Sequence, residues 1–403
     1  MDLPGVPSSV LEALQRAGRS LDVRCLALVG GVVRDQLLHQ RCGRSWSGVP
    51  DLDWVVEGDA AALVAELVTQ VGSERITAIQ EHGAFGTVAF QLDGIPFDLA
   101  TARQEHYPAP AENPVVRVGT LEADLARRDF TINAMALDLV AGELIDLHHG
   151  QEDLASGQIR FLHAGSVQDD PTRVIRAARY AARLGFQLAK ESREQIRSTM
   201  QQWPWAWGQG DAALTAPPAL ASRLRMELER LLEREPWPQA LDLLEQWQAL
   251  PLLDAQLQRD PRRTQRLHWA RRLGLPLMPA FLAGAADPVA LAQRLQIPGK
   301  QQQWLKQCGA LCDWLMDNPP VLQASPSIWS TALEQKGWQP EAVALAVTLR
   351  PKQWRPLLRW WGRWRGIQAP QTARELIAAG WQPGPAIGEE LRRQRSAAQD
   401  RSR

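Results

Sequence analysis

The chain has 403 residues, 45% of them hydrophobic and 22% charged, with 45 Lys and Arg balancing 45 Asp and Glu to a formal net charge of zero. That length allows two to four domains, the apolar content is ordinary for a globular protein, and the neutral balance excludes a uniformly basic coat for nucleic acid. No run of about 18 apolar residues occurs, so no membrane span is expected. The opening MDLPGVPSSVLEALQRAGRS lacks the basic stretch and apolar core of a signal peptide, which points to the cytoplasm. The cysteines Cys25, Cys42, Cys308 and Cys312 are too few and scattered for a disulfide framework. Cys308 and Cys312 lie one helical turn apart without a second pair to complete a zinc site, so reduced packing thiols are expected.

In chain order, Cys25–Gly30 is a short apolar run ending in glycine, as strands do. Val32–Gln40 then reads as a helix, Asp51–Gly58 as a strand and Ala60–Val71 as an amphipathic helix. Phe85–Arg103 reads as two strands joined at Asp93-Gly94, a dipeptide suited to tight hairpins. A proline-rich loop covers Tyr107–Pro114, and helical patterns resume at Leu121. After Ile159 no convincing strand is visible. Long helical patterns take over, broken by prolines and by the Trp203–Gly210 cluster. The fold class expected is α+β: a small mixed or antiparallel sheet in a head, then an all-helical remainder. Of the seventeen tryptophans, most are expected in helix contacts, with Trp360, Trp361 and Trp364 the candidates for stacking on RNA. From Arg350 to Arg403 cations far outnumber Glu375, Glu389, Glu390 and Asp400, which suggests a local polyanion-binding surface.

Gly30-Gly31 falls between a strand and a helix, where bare backbone can approach a ligand and free N–H groups favour phosphate. Arg34, one turn on, can add a bidentate phosphate contact. Asp51 and Asp53 alternate along a strand and so share one face, roughly 6–7 Å apart at the backbone, with Leu52 and Trp54 turned to the core. Two carboxylates on one face repel unless a cation lies between them, and magnesium takes one or two carboxylates plus substrate phosphates. Asp98, flanked by inward Phe97 and Leu99, offers a third acid. Glycine turn, paired acids and third acidic strand, in that order, point to metal-dependent phosphoryl transfer.

Ala126–Leu139 places Arg127, Arg128 and Asp129 ahead of what reads as an apolar helix, with Asp129 as its cap and Asn133 an odd polar residue inside it. Asp170-Pro171 is a strong helix start, and Arg173, Arg176 and Arg179 then recur every third residue as a slowly drifting stripe. Cytosine and adenine both present an amine beside a bare ring nitrogen. Asp170 can accept from the amine while Arg173 donates to the nitrogen. Uracil and guanine invert both groups, and such mismatches cost factors of about 10⁴ in selectivity.

These segments together resemble the ordered motifs of bacterial (class II) tRNA CCA-adding enzymes and poly(A) polymerases, over residues 25–190. The resemblance also takes in Asp146, Gly150, Asp153 and Leu154, where relatives join head to neck. It implies a head (1–141), a helical neck (142–235) and a helical body and tail (236–403) that binds tRNA. It implies two magnesium ions on Asp51 and Asp53, with Asp98 assisting. Gly30, Gly31, Arg34, Arg128, Asp170, Arg173, Arg176 and Arg179 correspond to nucleotide-binding positions. The expected reaction is transfer of CMP or AMP from CTP or ATP to the 3′ end of tRNA, releasing pyrophosphate. Full CCA addition, CC-only or A-only addition and poly(A) synthesis all remain open, as do an inactive RNA-binding head and a small-molecule nucleotidyltransferase. The sequence is silent on oligomeric state.

Overall fold

A computed structural model describes residues 3–46, 51–83, 86–207, 218–318 and 324–402. Phe85, residues 208–210 of the tryptophan cluster and the Cys42 side chain lie outside the described residues. The chain divides into two compact units: Met1–Ala206 with Glu235–Ala249, and Trp207–Arg234 with Leu250–Arg403.

The first unit opens with helix α1 (Ser8–Ser20), strand β1 (Leu26–Val29), α2 (Gly31–Cys42), β2 (Leu52–Val56) and α3 (Ala60–Val71). Strands β3 (Ile76–His82), β4 (Thr87–Leu92), β5 (Ile95–Thr101), β6 (Arg103–His106) and β7 (Val115–Val118) follow. After α4 (Leu121–Ala126) come β8 (Ala136–Asp138), β9 (Leu144–Ile145), α5 (Gly150–Ser156), β10 (Gln158–Ile159), α6 (Ser166–Asp169), α7 (Thr172–Leu184), β11 (Gln187–Leu188) and α8 (Lys190–Gln202). One sheet of seven strands runs in the order β3-β4-β5-β2-β1-β8-β9. It is mixed: β2 pairs parallel to β5, and the other neighbours pair antiparallel.

Local chemistry explains the elements that carry the site. Asp59 caps α3 by accepting from the backbone N–H groups of Ala61 and Ala62, and Leu63, Val64 and Leu67 bury one face. Asp93 and Gly94 both have positive φ, 53° and 78°, so the β4–β5 link is a two-residue turn of the primed kind, whose twist matches the strands. Strand β3 forms one edge. Its register slips between Thr77 and Gln80, and Ala78 has φ 55°. The proline-rich stretch before Val115 is the connection of the β6–β7 ribbon.

The segment Ala126–Leu139 departs from the expected helix. Thr131–Asn133 is a single tight turn, and Ala136–Asp138 is strand β8, paired with β1. A strand covered on both faces shows no two-residue alternation, so its short apolar run cannot be told from helix by pattern. Asp129 therefore caps no long helix. The β10–β11 pairing past Ile159 is a second departure, two residues on each side and too short to leave a signal.

Helix α9 (Pro218–Arg234) belongs to the second unit, and α10 (Trp237–Gln246) to the first, where it packs on α7. The second unit continues as α11 (Arg263–Arg272), α12 (Leu277–Leu282), α13 (Pro288–Arg294), α14 (Gly299–Asp317), α15 (Pro326–Gln335), α16 (Pro340–Leu349), α17 (Trp354–Gly362), α18 (Ala373–Ala378) and α19 (Pro385–Arg401). No strand lies among its described residues. Trp360 and Trp364 are buried, as packing requires, whereas Trp361 is half-buried. No described helix is long and apolar enough to cross a membrane.

A Cβ at Gly94 would meet open space, so its replacement tests backbone conformation alone. Gly94→Ala should cost about 1 kcal/mol, while Gly94→Asn, which tolerates positive φ, should cost clearly less. Urea midpoints of the two variants check this, and equal midpoints would remove the turn assignment.

Candidate active site

Parallel pairing of β2 and β5 sets Asp53 beside Asp98 in register, with Leu52 opposite Phe97 and Trp54 opposite Leu99. Leu52, Trp54, Phe97 and Leu99 are buried, and Asp51, Asp53 and Asp98 are exposed. All three acids thus share the open face. Asp53's carboxyl is held above the usual range, first by partial loss of solvent and then by the nearby charges of Asp98 and Asp51, against the opposing Arg128. That is the electrostatic state expected of acids gathered to receive a cation. The donors are hard oxygens, which suits a magnesium-type ion. No group of three or more His, Cys, Asp or Glu among the described residues closes around an ion by itself.

A cavity of about 560 Å³ adjoins these acids. Asp51 and Asp53 line it together with Gly31 and Arg34 of α2 and Tyr180 and Arg183 of α7. Gly30, the N-cap of α2, has φ 78°, and a Cβ there would lie 3.2 Å from Arg128 Nη1 and 3.7 Å from Asp53 Oδ2. Glycine at this turn is what lets the arginine and the acid close on the backbone. Arg128 is anchored by Nη2 donating to Asp124 Oδ2 at 2.9 Å. Asp124 is fully buried and also accepts from Arg127, and the two guanidinium groups keep its carboxyl below the usual range despite burial.

The other expected nucleotide contacts are engaged within the protein. Buried Arg34 forks onto Asp35 at 2.8 and 2.9 Å, donates to Asn133 Oδ1 at 2.7 Å and lies 5.0 Å above the Tyr180 ring. Asn133 in turn donates to Asp129, and Arg176 donates to the other oxygen of Asp129. Arg173 donates to the Arg127 carbonyl at 2.8 Å and approaches His163 Nε2 at 3.3 Å. Arg179 and Arg183 share Glu235, just ahead of α10. Asp170 turns back on Thr172, accepting from its N–H and its hydroxyl, and so works as the expected cap. The cavity thus gathers Gly31, Arg34, Asp51 and Asp53, with Gly30, Arg128 and Asp98 alongside. Arg176 joins through Asp129 and Asn133. Asp170, Arg173 and Arg179 do not line it.

Tyr180 was missed in the sequence. Its ring has four guanidinium groups within 6.0 Å, those of Arg34, Arg176, Arg179 and Arg183, and it meets Phe130 edge-on. The signal was available: Arg176, Tyr180 and Arg183 lie four and three residues apart, on one helix face.

Residues 26–160 match the poly A polymerase head domain. The CC-adding tRNA nucleotidyltransferase of Deinococcus radiodurans is 35% identical over 398 aligned residues, covering 94% of this chain and 84% of that protein. The chain belongs to the tRNA nucleotidyltransferase family. It is an enzyme of that family, whose members generally use divalent metal ions. An A-adding tRNA nucleotidyltransferase of Aquifex aeolicus is 40% identical over 176 residues, 43% of this chain and 20% of that protein. A solved CCA-adding enzyme without ligand shares the fold, with TM-score 0.75 at 24% identity over 97% of this chain and 93% of its own.

Glu235 offers a test of how this nucleotidyltransferase holds α7. Burial alone would raise its carboxyl, but Arg183 and Arg179 bring it below the usual range. Glu235→Gln removes the buried carboxylate that Arg179 and Arg183 share and should cost about 3 kcal/mol. Because the folded group titrates below its unfolded value, its contribution is complete above the ordinary Glu range and is lost as pH falls through the folded pKa. Denaturation followed from pH 7 to 3 should show that acid-side loss in the native chain and its absence in Glu235→Gln.

Proposed function

We propose that the chain transfers CMP, and in a second reading AMP, from CTP or ATP to the 3′ hydroxyl of tRNA with release of pyrophosphate. The observation carrying this is the trio Asp51, Asp53 and Asp98 on one open face beside the glycine turn and Arg128. The full-length likeness to a CC-adding enzyme favours addition of C residues, since the A-adding relative matches only part of the chain. Poly(A) synthesis and an inactive RNA-binding head rank lower, the latter because all three acids are present.

In this reading Asp51 and Asp53 hold two magnesium ions, and Asp98 assists as a further ligand or by taking the proton of the attacking hydroxyl. Magnesium, when bound, supplies charge neutralisation at the triphosphate and a polarised hydroxyl. The chain's own residues do the rest. Gly30-Gly31 admits the triphosphate to the N-terminus of α2. Arg128, fixed by Asp124, meets a phosphate or the ribose. Asp170 and Arg173 read the base edge, and Arg34, Arg176 and Arg179 order the neighbouring helix face. Arg173 would exchange its present acceptor, the Arg127 carbonyl, for substrate, while Arg128 keeps Asp124. The head spans 1–141 and the neck 142–235, with 236–403 as body and tail that holds the tRNA, and the protein acts in the cytoplasm.

Labelled CTP and ATP offered to tRNA ending before CCA, to tRNA ending in CC and to generic RNA separate the activities. CTP incorporation confined to the first substrate is expected. Asp51→Ala and Asp53→Ala should each reduce kcat/KM at least about 10³-fold, on the order of 4 kcal/mol, with tRNA affinity retained. Chelation of magnesium should do the same reversibly. Residual transfer by the double variant would refute the assignment.

A further inference from the structure

Arg173 is buried, and two acceptors hold its guanidinium. Nη2 donates to the Arg127 carbonyl at 2.8 Å, and Nη1 donates to His163 Nε2 at 3.3 Å. A guanidinium has donors only and keeps its charge in proteins. The second bond therefore dictates the state of the imidazole. Nε2 must offer a lone pair, so the ring is neutral and its proton is on Nδ1. Nδ1 faces Asp169 Oδ2 of α6 at 4.0 Å.

The turn that carries His163 is built to hold the ring there. The His163 N–H donates to the Ser166 hydroxyl at 3.3 Å, and its carbonyl accepts from the Ser166 N–H at 3.1 Å and from Gln195 Nε2 of α8 at 2.9 Å. Ser166 is fully buried. A Cβ at Gly165 would lie 3.3 Å from Asp169 Oδ2 and 3.5 Å from His163 Nδ1, so a bare glycine leaves acid and imidazole their shared corner. His163 also lines an open cavity of about 800 Å³ with Arg160, Lys190, Glu191 and Glu194, through which solvent protons reach the ring. Glu191 is paired with Arg160. Partial loss of solvent and then the charge of Arg173 hold the imidazole below its ordinary range, against the opposing Asp169.

We infer that His163 is a positioning residue for base selection: its neutral Nε2 fixes the Arg173 guanidinium through Nη1, leaving Nη2 to turn from the Arg127 carbonyl to the nucleobase. The inference rests on the proposed reading of the base edge by Asp170 and Arg173, and adds what aims that arginine. Protonation of His163 removes the lone pair and sets cation against cation. The hold is therefore complete at neutral pH and is lost as pH falls through the folded pKa, below the ordinary imidazole value.

The test is the ratio of kcat/KM for CTP to that for UTP on tRNA ending before CCA, followed from about pH 8 to about pH 5. Asp53 also titrates on the acid side, but it acts at the triphosphate, which both nucleotides share, so its effect cancels in the ratio. The native ratio should be level above the ordinary imidazole range and fall at least about tenfold below it. In His163→Phe the ratio should be low at every pH, chiefly through a raised KM for CTP. In His163→Gln an amide oxygen can accept from Arg173 and does not titrate, so the ratio should recover while its acid fall disappears. The His163 side chain is exposed, so neither variant removes core packing. Long-range ¹H–¹⁵N spectra of histidine-labelled chain, with the His163 signals assigned by their loss in His163→Gln, should show the Nδ1–H tautomer.

A native ratio and acid profile in His163→Phe would overturn the inference, and so would an Nε2–H tautomer in the native chain. Its failure is distinct from failure of the transferase reading. A chain that transfers normally and keeps its selectivity without His163 sinks only this inference. A chain that incorporates no nucleotide sinks the transferase reading, and the same comparison is then made on the Kd values for CTP and UTP by equilibrium dialysis.

Discussion

The parallel register of β2 on β5 is the constraint from which the active site follows. It fixes Asp53 beside Asp98, and Asp51, just ahead of β2, lines the same cavity as Asp53. Asp53's proton affinity is raised, first by partial loss of solvent and then by the neighbouring charges of Asp98 and Asp51. Everything nearby answers that charge. The glycine turn brings α2's N-terminus within reach, and Arg128 is delivered to Asp53 by a fully buried Asp124. A sheet register, set by burial of Leu52, Trp54, Phe97 and Leu99, thereby decides where the acids, the glycine turn and Arg128 meet.

Arginine serves two ends in the two units. In α7 and its surroundings the guanidinium groups are tied to protein acceptors: Arg176 to Asp129, Arg179 and Arg183 to Glu235, Arg173 to a backbone carbonyl. Such a network fixes the helix against its neighbours. On α17 and its neighbours the guanidinium groups rest on indoles and face solvent.

Much of this could be read from the residues. The glycine turn, the strand faces of Asp51 and Asp53, helix α3 and the Asp93-Gly94 hairpin were legible because their signals are local: a period of two, a cap, a dipeptide that tolerates positive φ. Strand β8 was not, because it is three residues long and largely buried, too short for a period to show. The partners of Arg34, Arg173 and Arg179 were invisible for another reason. Asn133, the Arg127 carbonyl and Glu235 lie 99, 46 and 56 residues away, and no local pattern encodes such a pairing. Tyr180 stands at helical spacing, but a lone aromatic on a helix reads first as packing.

The outer strand β3 has a consequence for how the molecule behaves in a crowd. An unpaired strand edge is an invitation to a neighbour's edge, and fibrous association starts there. Here the rim is broken by the slip between Thr77 and Gln80 and carries Glu81 and His82 on exposed positions. A second chain offered that rim would find its hydrogen-bonding ladder interrupted after Thr77. The sheet can therefore stay open on that side, leaving its acidic face uncovered, without recruiting copies of itself.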